Sequence, residues 1–365
     1  MAELRRSCFV GALSGLLMAS LAACSGGSAS SEIAQGLINI GNLCTDRFNP
    51  AFAASGEDCK PVYNRFCPAS AATLPFNQTE VDACDGVSSS TGSVSVGGET
   101  SSYVIVRPAS GGRSGLYVAL HWAGANGETM VNRMRLSELA KGRDVTVVAP
   151  TAPGESASWG YDTAPAVIPI ETRMLLLDAI ISAAQQQTGV AGPVLVSGVS
   201  GGGVMAFVYG CERAEHVVGV EIVAAEVAPT QLSACAPARA LASVQVHGTL
   251  DAIAPYQPLP VLAAGPVPIF EHLLASNGCD ANRLSTVQLP SPEALVSGIE
   301  VRWAPRSACT SSVGSALVTI QGGGHNWPGF DDPLNLGLGA NAYGPISTGF
   351  DATLQGYDLL RYLAG

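Results

Sequence analysis

The run from Gly192 to Phe207, GPVLVSGVSGGGVMAF, constrains this chain more than any other stretch. Val194, Leu195 and Val196 read as a short buried strand that breaks into glycine and restarts as a helix, with Ser200 at the break. Glycines on both sides let the backbone turn sharply and let strand and helix pack closely around one projecting hydroxyl. The pattern is G-x-S-x-G, and Ser200 is the only serine with glycine at both second neighbours. The turn also leaves the Gly201 N–H at a helix N-terminus, free to donate to developing negative charge. A glycine-rich turn without chemistry is the plainer alternative, and the partner residues decide between the two.

With 365 residues, 47% hydrophobic and 13% charged, the chain has enough apolar surface for one large domain plus an extra segment. Its net charge of −11 argues against a nucleic-acid partner, because phosphate binding needs a concentrated basic surface. Arg5 and Arg6 precede an apolar run from Phe9 to Ala23, too short for a secure membrane span. Leu21-Ala22-Ala23-Cys24 then resembles a bacterial lipobox. Residues 1–23 are therefore expected to be a lipoprotein signal peptide, Cys24 the lipidated residue, and residues 24–35 a small polar tether. A plain signal peptide cut nearby is the alternative. Ser25 in place of Asp favours the outer membrane in a two-membrane cell, with the anchor as the only membrane contact.

Export makes the cysteines legible as disulfides. Apart from Cys8 and Cys24 they are Cys44, Cys59, Cys67, Cys84, Cys211, Cys235, Cys279 and Cys309, an even set whose pairing the spacing does not fix. No C-x-x-C and no tight Cys/His cluster occurs, so neither metal nor cofactor is expected. Residues 36–90 read as a Cys-rich segment ending in a linker at Ser88-Ser89-Ser90-Thr91-Gly92. It is read as a brace against the main domain in preference to a substrate-binding module.

From residue 91 to 365 the pattern alternates between strands and helices. Ser93–Val96 and Ser102–Arg107 form a hairpin pattern; buried strands follow at 116–121, 144–150, 193–197, 217–223, 243–247 and 316–320. Helical spacing marks 130–141, 171–187, 268–276 and 351–363. The expected fold is an eight-stranded, mostly parallel sheet with helices on both faces.

A serine hydroxyl needs a base, and the base needs a carboxylate to orient it. His325 follows the last strand through Gly322-Gly323-Gly324, at the carboxyl edge where sites of such sheets form. His216 and His272 read as helix residues, and His121 and His247 as strand ends bonded to neighbouring loops. Asp251 follows strand 243–247 directly and is preferred over Glu221, Glu226 and Asp280; an aspartate serving only its local turn is the alternative. The order Ser200, Asp251, His325 is that of the α/β-hydrolases. A second oxyanion donor is sought in Leu120-His121-Trp122-Ala123-Gly124, with Trp122 and Ala123 both open. Too few residues separate strands 217–223 and 243–247 for a substantial lid, so an open groove is expected, with Trp122, Trp159, Tyr161 and Trp327 as aromatics along it.

Four blocks carry a family resemblance from about residue 93 onward. They are Leu120-His121-Trp122-Ala123-Gly124; Ser197 to Ala206 with Cys211-Glu212-Arg213-Ala214; Val246-His247-Gly248-Thr249-Leu250-Asp251 with Pro255-Tyr256; and Gly322-Gly323-Gly324-His325-Asn326-Trp327-Pro328-Gly329. In these the chain resembles the esterases that include polyhydroxybutyrate depolymerases, feruloyl and acetylxylan esterases and LpqC-type lipoproteins. The resemblance implies the α/β-hydrolase fold, the triad Ser200, Asp251 and His325, and pairing of Cys279 with Cys309 and of Cys211 with Cys235. It departs at Trp122, where the family has glycine. The function so implied is a lipid-anchored serine carboxylic ester hydrolase acting through an acyl-enzyme on polymeric or aryl esters. A serine peptidase of the same fold and a non-catalytic surface-binding lipoprotein are the rivals.

Overall fold

The computed structural model describes residue 67 and residues 77–154, 157–160, 168–329 and 343–365. Signal segment, lipobox, Cys24, Cys44, Cys59 and Tyr161 lie outside the described residues. Strands β1 (Val87–Val96) and β2 (Glu99–Pro108) form a hairpin closed by Gly97 and Gly98, both at positive φ, as a tight two-residue turn requires. The serine run 88–92 is thus the first half of β1, not a linker. It lies at the sheet edge, where one neighbour supplies the hydrogen bonds and polar side chains face water.

Next come β3 (Leu116–Leu120), α1 (Gly127–Arg133), α2 (Leu136–Arg143), β4 (Thr146–Pro150), α3 (Ile170–Thr188), β5 (Val194–Val199) and α4 (Gly201–Glu212). The chain continues through β6 (Val217–Val223), α5 (Pro229–Ala234), β7 (Ala242–Gly248), α6 (Pro266–Ser276), β8 (Ser285–Leu289), β9 (Gly298–Ala304), β10 (Ser315–Gln321) and α7 (Leu354–Ala364).

Among the described residues ten strands form one sheet in the order β1-β2-β4-β3-β5-β6-β7-β10-β9-β8. The six strands from β4 through β10 in that order are parallel. β3, β4, β5 and β7 are buried along their whole length, which is why they read as unbroken apolar runs. One half of the core packs α1, α2 and α7 against the sheet, and the other packs α3, α4 and α6. The antiparallel pair β8–β9 takes the sheet from the expected eight strands to ten. It hid in the sequence because β8, Ser-Thr-Val-Gln-Leu, is a half-buried edge strand with little apolar signal.

Three disulfides staple the described residues: Cys211–Cys235, Cys279–Cys309 and Cys67–Cys84. The first two are those the family resemblance implied. The third holds a strap that runs onto α1. There the Gln78 amide donates to Thr129 Oγ1 (2.8 Å), the Asp82 amide donates to Asn132 Oδ1 (2.8 Å), and Asn132 Nδ2 donates to the Glu80 carbonyl (2.9 Å). Asn126 caps α1 through the Thr129 amide while its own amide donates to the Gln78 carbonyl (2.7 Å).

Candidate active site

Ser200 joins β5 to α4 with φ 55° and ψ −124°, a conformation that L residues avoid unless the surroundings impose it. The glycines supply that constraint. A Cβ at Gly198 would collide with the Gly202 carbonyl, and one at Gly202 with the carbonyl oxygens of Leu120 and His121. Their absence lets the helix N-terminus sit directly on the end of β3. The Ser200 side chain is half-buried and makes no hydrogen bond to the described residues.

Four backbone hydrogen bonds stitch the strand ends into one rim: Ser200 N to Val223 O (2.9 Å), Ala224 N to Val246 O (2.9 Å), Thr249 N to Ile320 O (3.0 Å) and Leu250 N to Gly323 O (2.8 Å). The rim carries Ser200, Asp251 and His325 on the carboxyl ends of β5, β7 and β10. His325 Nδ1 lies 2.8 Å from Asp251 Oδ2, and both side chains are buried. The other carboxylate oxygen accepts the amides of Ile253 (2.9 Å) and Ala254 (2.8 Å). Asp251 therefore fixes its own turn and the imidazole at once. Among the described residues Nε2 of His325 has no hydrogen-bond partner, and the Ser200 to His325 hydrogen bond is not formed in this structure.

His247 makes a contribution that the sequence reading gave only to its loop. Its Nε2 lies 2.7 Å from the Ala254 carbonyl and 3.2 Å from Asp251 Oδ2, so one N–H faces both. Burial alone raises the pKa of Asp251, but hydrogen bonds from His247 and His325, with the attraction of both rings, outweigh it and hold the carboxyl well below the usual range. Glu226, a weighed alternative, lies close enough to feel His247, Asp251 and His325; burial raises its pKa.

The loop after β3 is fixed by His121. Its Nδ1 faces the Trp122 carbonyl at 2.6 Å and its Nε2 accepts the Ala152 amide at 2.9 Å, which defines a neutral ring with the proton on Nδ1. Full burial agrees, pushing its pKa down to about 4. The Ala123 residue next to it is exposed, and neither its amide nor that of Gly201 has a backbone partner among the described residues.

The groove aromatics need correction. Trp122, Trp159 and Trp327 are all buried, the first and last in one half of the core and Trp159 in the other. An indole removes more apolar surface from water than almost any other side chain, and here that gain is taken inside the domain. Trp327 Nε1 donates to Thr353 Oγ1 (3.0 Å), which donates on to the Met134 carbonyl (2.7 Å), tying α1 to the start of α7.

Strand order, helices on both faces and the serine turn after β5 define an α/β-hydrolase fold with an antiparallel hairpin added at the far edge. No protein-family model and no curated protein matches the chain. Among solved structures it is similar to an acetyl xylan esterase from Aspergillus awamori, at 13% identity over 64% of this chain and 94% of that one, TM-score 0.46. It is also similar to esterase PE8, at 20% identity over 64% and 94%, TM-score 0.42, and to an S-formylglutathione hydrolase from Agrobacterium tumefaciens, at 11% over 79% and 99%, TM-score 0.45. Likeness at that distance carries none of the functional reading; the chemistry on the rim does.

Proposed function

We propose that the protein is an exported, lipid-anchored serine carboxylic ester hydrolase that works through an acyl-enzyme on polymeric or aryl esters. Ser200 is the nucleophile, His325 the base and Asp251 the group that orients it. As Ser200 Oγ bonds to the ester carbonyl carbon, its proton passes to His325 Nε2; collapse of the adduct expels the alcohol, which takes that proton. Water then bonds to the acyl carbon as its proton passes to His325 Nε2; the adduct collapses by breaking the bond to Ser200 Oγ, which takes that proton, and the carboxylic acid departs. The amides of Gly201 and Ala123 stabilise the oxyanion, each such donor lowering the barrier by about 3–4 kcal/mol.

The single observation that carries this reading is the 2.8 Å Asp251–His325 bond, buried on the same rim as a serine held at φ 55°. Catalytic hydrogen bonds are often open in the unliganded state and tighten around substrate, so the Ser200 to His325 contact belongs to the bound complex. The test is labelling with a fluorophosphonate together with turnover of short-acyl p-nitrophenyl esters. Ser200 takes the label, and Ser200→Ala lowers kcat by about 10⁴ or more. Folded protein that neither labels at Ser200 nor turns over esters overturns the proposal, as does activity confined to peptides.

A further inference from the structure

Residues 157–160 lie against the start of α4, and four contacts hold them there. The Gly124 amide donates to the Ala157 carbonyl (3.1 Å), Arg173 Nη1 donates to the Trp159 carbonyl (3.1 Å), and the rings of Trp159 and His121 meet with centroids 5.9 Å apart. Gly160 sits so close on α4 that a Cβ there would run into the carbonyl and Cα of Gly201. Ala157 takes φ 41° to make the turn, a strained value that the clamped neighbours impose.

Ser158 stands in the middle of this clamp and is only 3% exposed. Among the described residues its hydroxyl has no hydrogen-bond partner. Leaving a buried hydroxyl unmatched costs about 1–3 kcal/mol, so such a group calls for a use. Two more donors beside it are also without a backbone partner among the described residues, the amides of Gly201 and Ala123. A Cβ on Gly201 would stand 3.6 Å from Ser158 Oγ, which makes the hydroxyl a neighbour of the α4 N-terminus. On the other side, Ala123 and Ser158 are each one residue from the Gly124–Ala157 bond. Three unmatched donors on adjoining residues, at the positive end of a helix, suit an oxygen that becomes negative.

We propose that Ser158 is a third oxyanion donor, its side-chain hydroxyl joining the amides of Gly201 and Ala123. The inference rests on the ester-hydrolase reading for the reaction it assists. As Ser200 Oγ bonds to the ester carbonyl carbon, the carbonyl π pair moves onto oxygen. Ser158 donates its hydroxyl hydrogen to that oxygen and keeps the proton; the bond weakens again when the adduct collapses and the carbonyl re-forms. In the free protein the same hydroxyl is unmatched and costs stability. Deleting it therefore acts with opposite signs on stability and on rate.

The experiment compares Ser158→Ala with the parent in p-nitrophenyl acetate turnover, inhibition by an alkyl trifluoromethyl ketone, fluorophosphonate labelling and thermal melting. Ser158→Ala is expected to lower kcat about tenfold or more with KM within about twofold. The Ki of the ketone rises by the factor that kcat/KM loses, because the oxygen of its serine adduct occupies the oxyanion position. Melting temperature stays at the parent value or rises, which loss of a structural hydroxyl would not allow. Ser158→Cys, a weaker donor in the same place, falls between the two in kcat. Unchanged kcat, a rise in KM alone, a lower melting temperature alongside the lost activity, or a ketone Ki that does not follow kcat/KM would each overturn the inference and leave the hydrolase reading intact. A parent protein that takes no label and turns over no ester removes that reading, and the third donor with it.

Discussion

At Asp251, one carboxylate serves two histidines and two amides, and each partner is legible to a different degree. The local turn and the pairing with His325 follow from the sequence, since an acid must lie between nucleophile and base in the chain and Asp favours such turns. The second histidine does not, because a strand-end imidazole says nothing of which way its ring faces until β7 and the 251–254 turn are folded together. Asp251→Asn is expected to lower kcat on p-nitrophenyl acetate by about 10⁴, because an amide presented to Nδ1 stabilises the wrong tautomer. His247 acts through Asp251. His247→Leu should cost about tenfold in kcat with KM unchanged, one hydrogen bond to a charged group, whereas His247→Gln restores most of it by returning an N–H near the Nε2 position. A fall in KM with unchanged kcat would contradict that role. The aromatics misled for a related reason: Trp122, Trp159 and Trp327 have the composition of a binding groove and the burial of a core.

Elements at the sheet edges were the hardest to read. β1 and β8 gain from pairing on one side only, so their residues need not be apolar, and a serine run or Ser-Thr-Val-Gln-Leu carries little periodic signal. Central strands, enclosed on both faces, announced themselves. The strap at 77–84 belongs to the edge class, since its affinity for α1 lies in side-chain to backbone bonds rather than in apolar spacing. Asn132 is its main anchor, accepting from the Asp82 amide and donating to the Glu80 carbonyl and to Gln78. Asn132→Ala leaves buried polar groups of the strap unmatched, and urea unfolding should report a loss of about 1–3 kcal/mol. A loss no larger than for a surface alanine would mean that the strap does not brace α1.

Across the whole molecule, two buried carboxyls shape stability against pH in opposite directions. Asp251 is held low, so what it contributes is complete above about pH 4 and is lost as pH falls through its folded value. Glu221, in the centre of β6, is pushed up to about 8: burial dominates, hydrogen bonds from Tyr117 (2.7 Å) and Ser197 (3.1 Å) work against it, and Asp351 adds repulsion. Between about pH 4.5 and 8 the folded chain keeps this proton and the unfolded chain does not, so stability falls with rising pH by up to about 1.4 kcal/mol per unit. Melting temperature should therefore peak near pH 5, and Glu221→Gln should remove most of the alkaline decline; an unchanged slope would show that Glu221 ionises freely in the native state. The six-strand parallel centre of this architecture was readable from composition and order alone, while the direction of this slope needed the packing around one side chain. That packing extends to the last helix, since a Cβ at Gly356 would run into the Glu221 carboxyl. Positions 221 and 356 are therefore coupled by sterics: alanine at 356 presses on the carboxyl at 221, and shortening that side chain to Asp relieves the pressure and shifts the acid-side optimum with it.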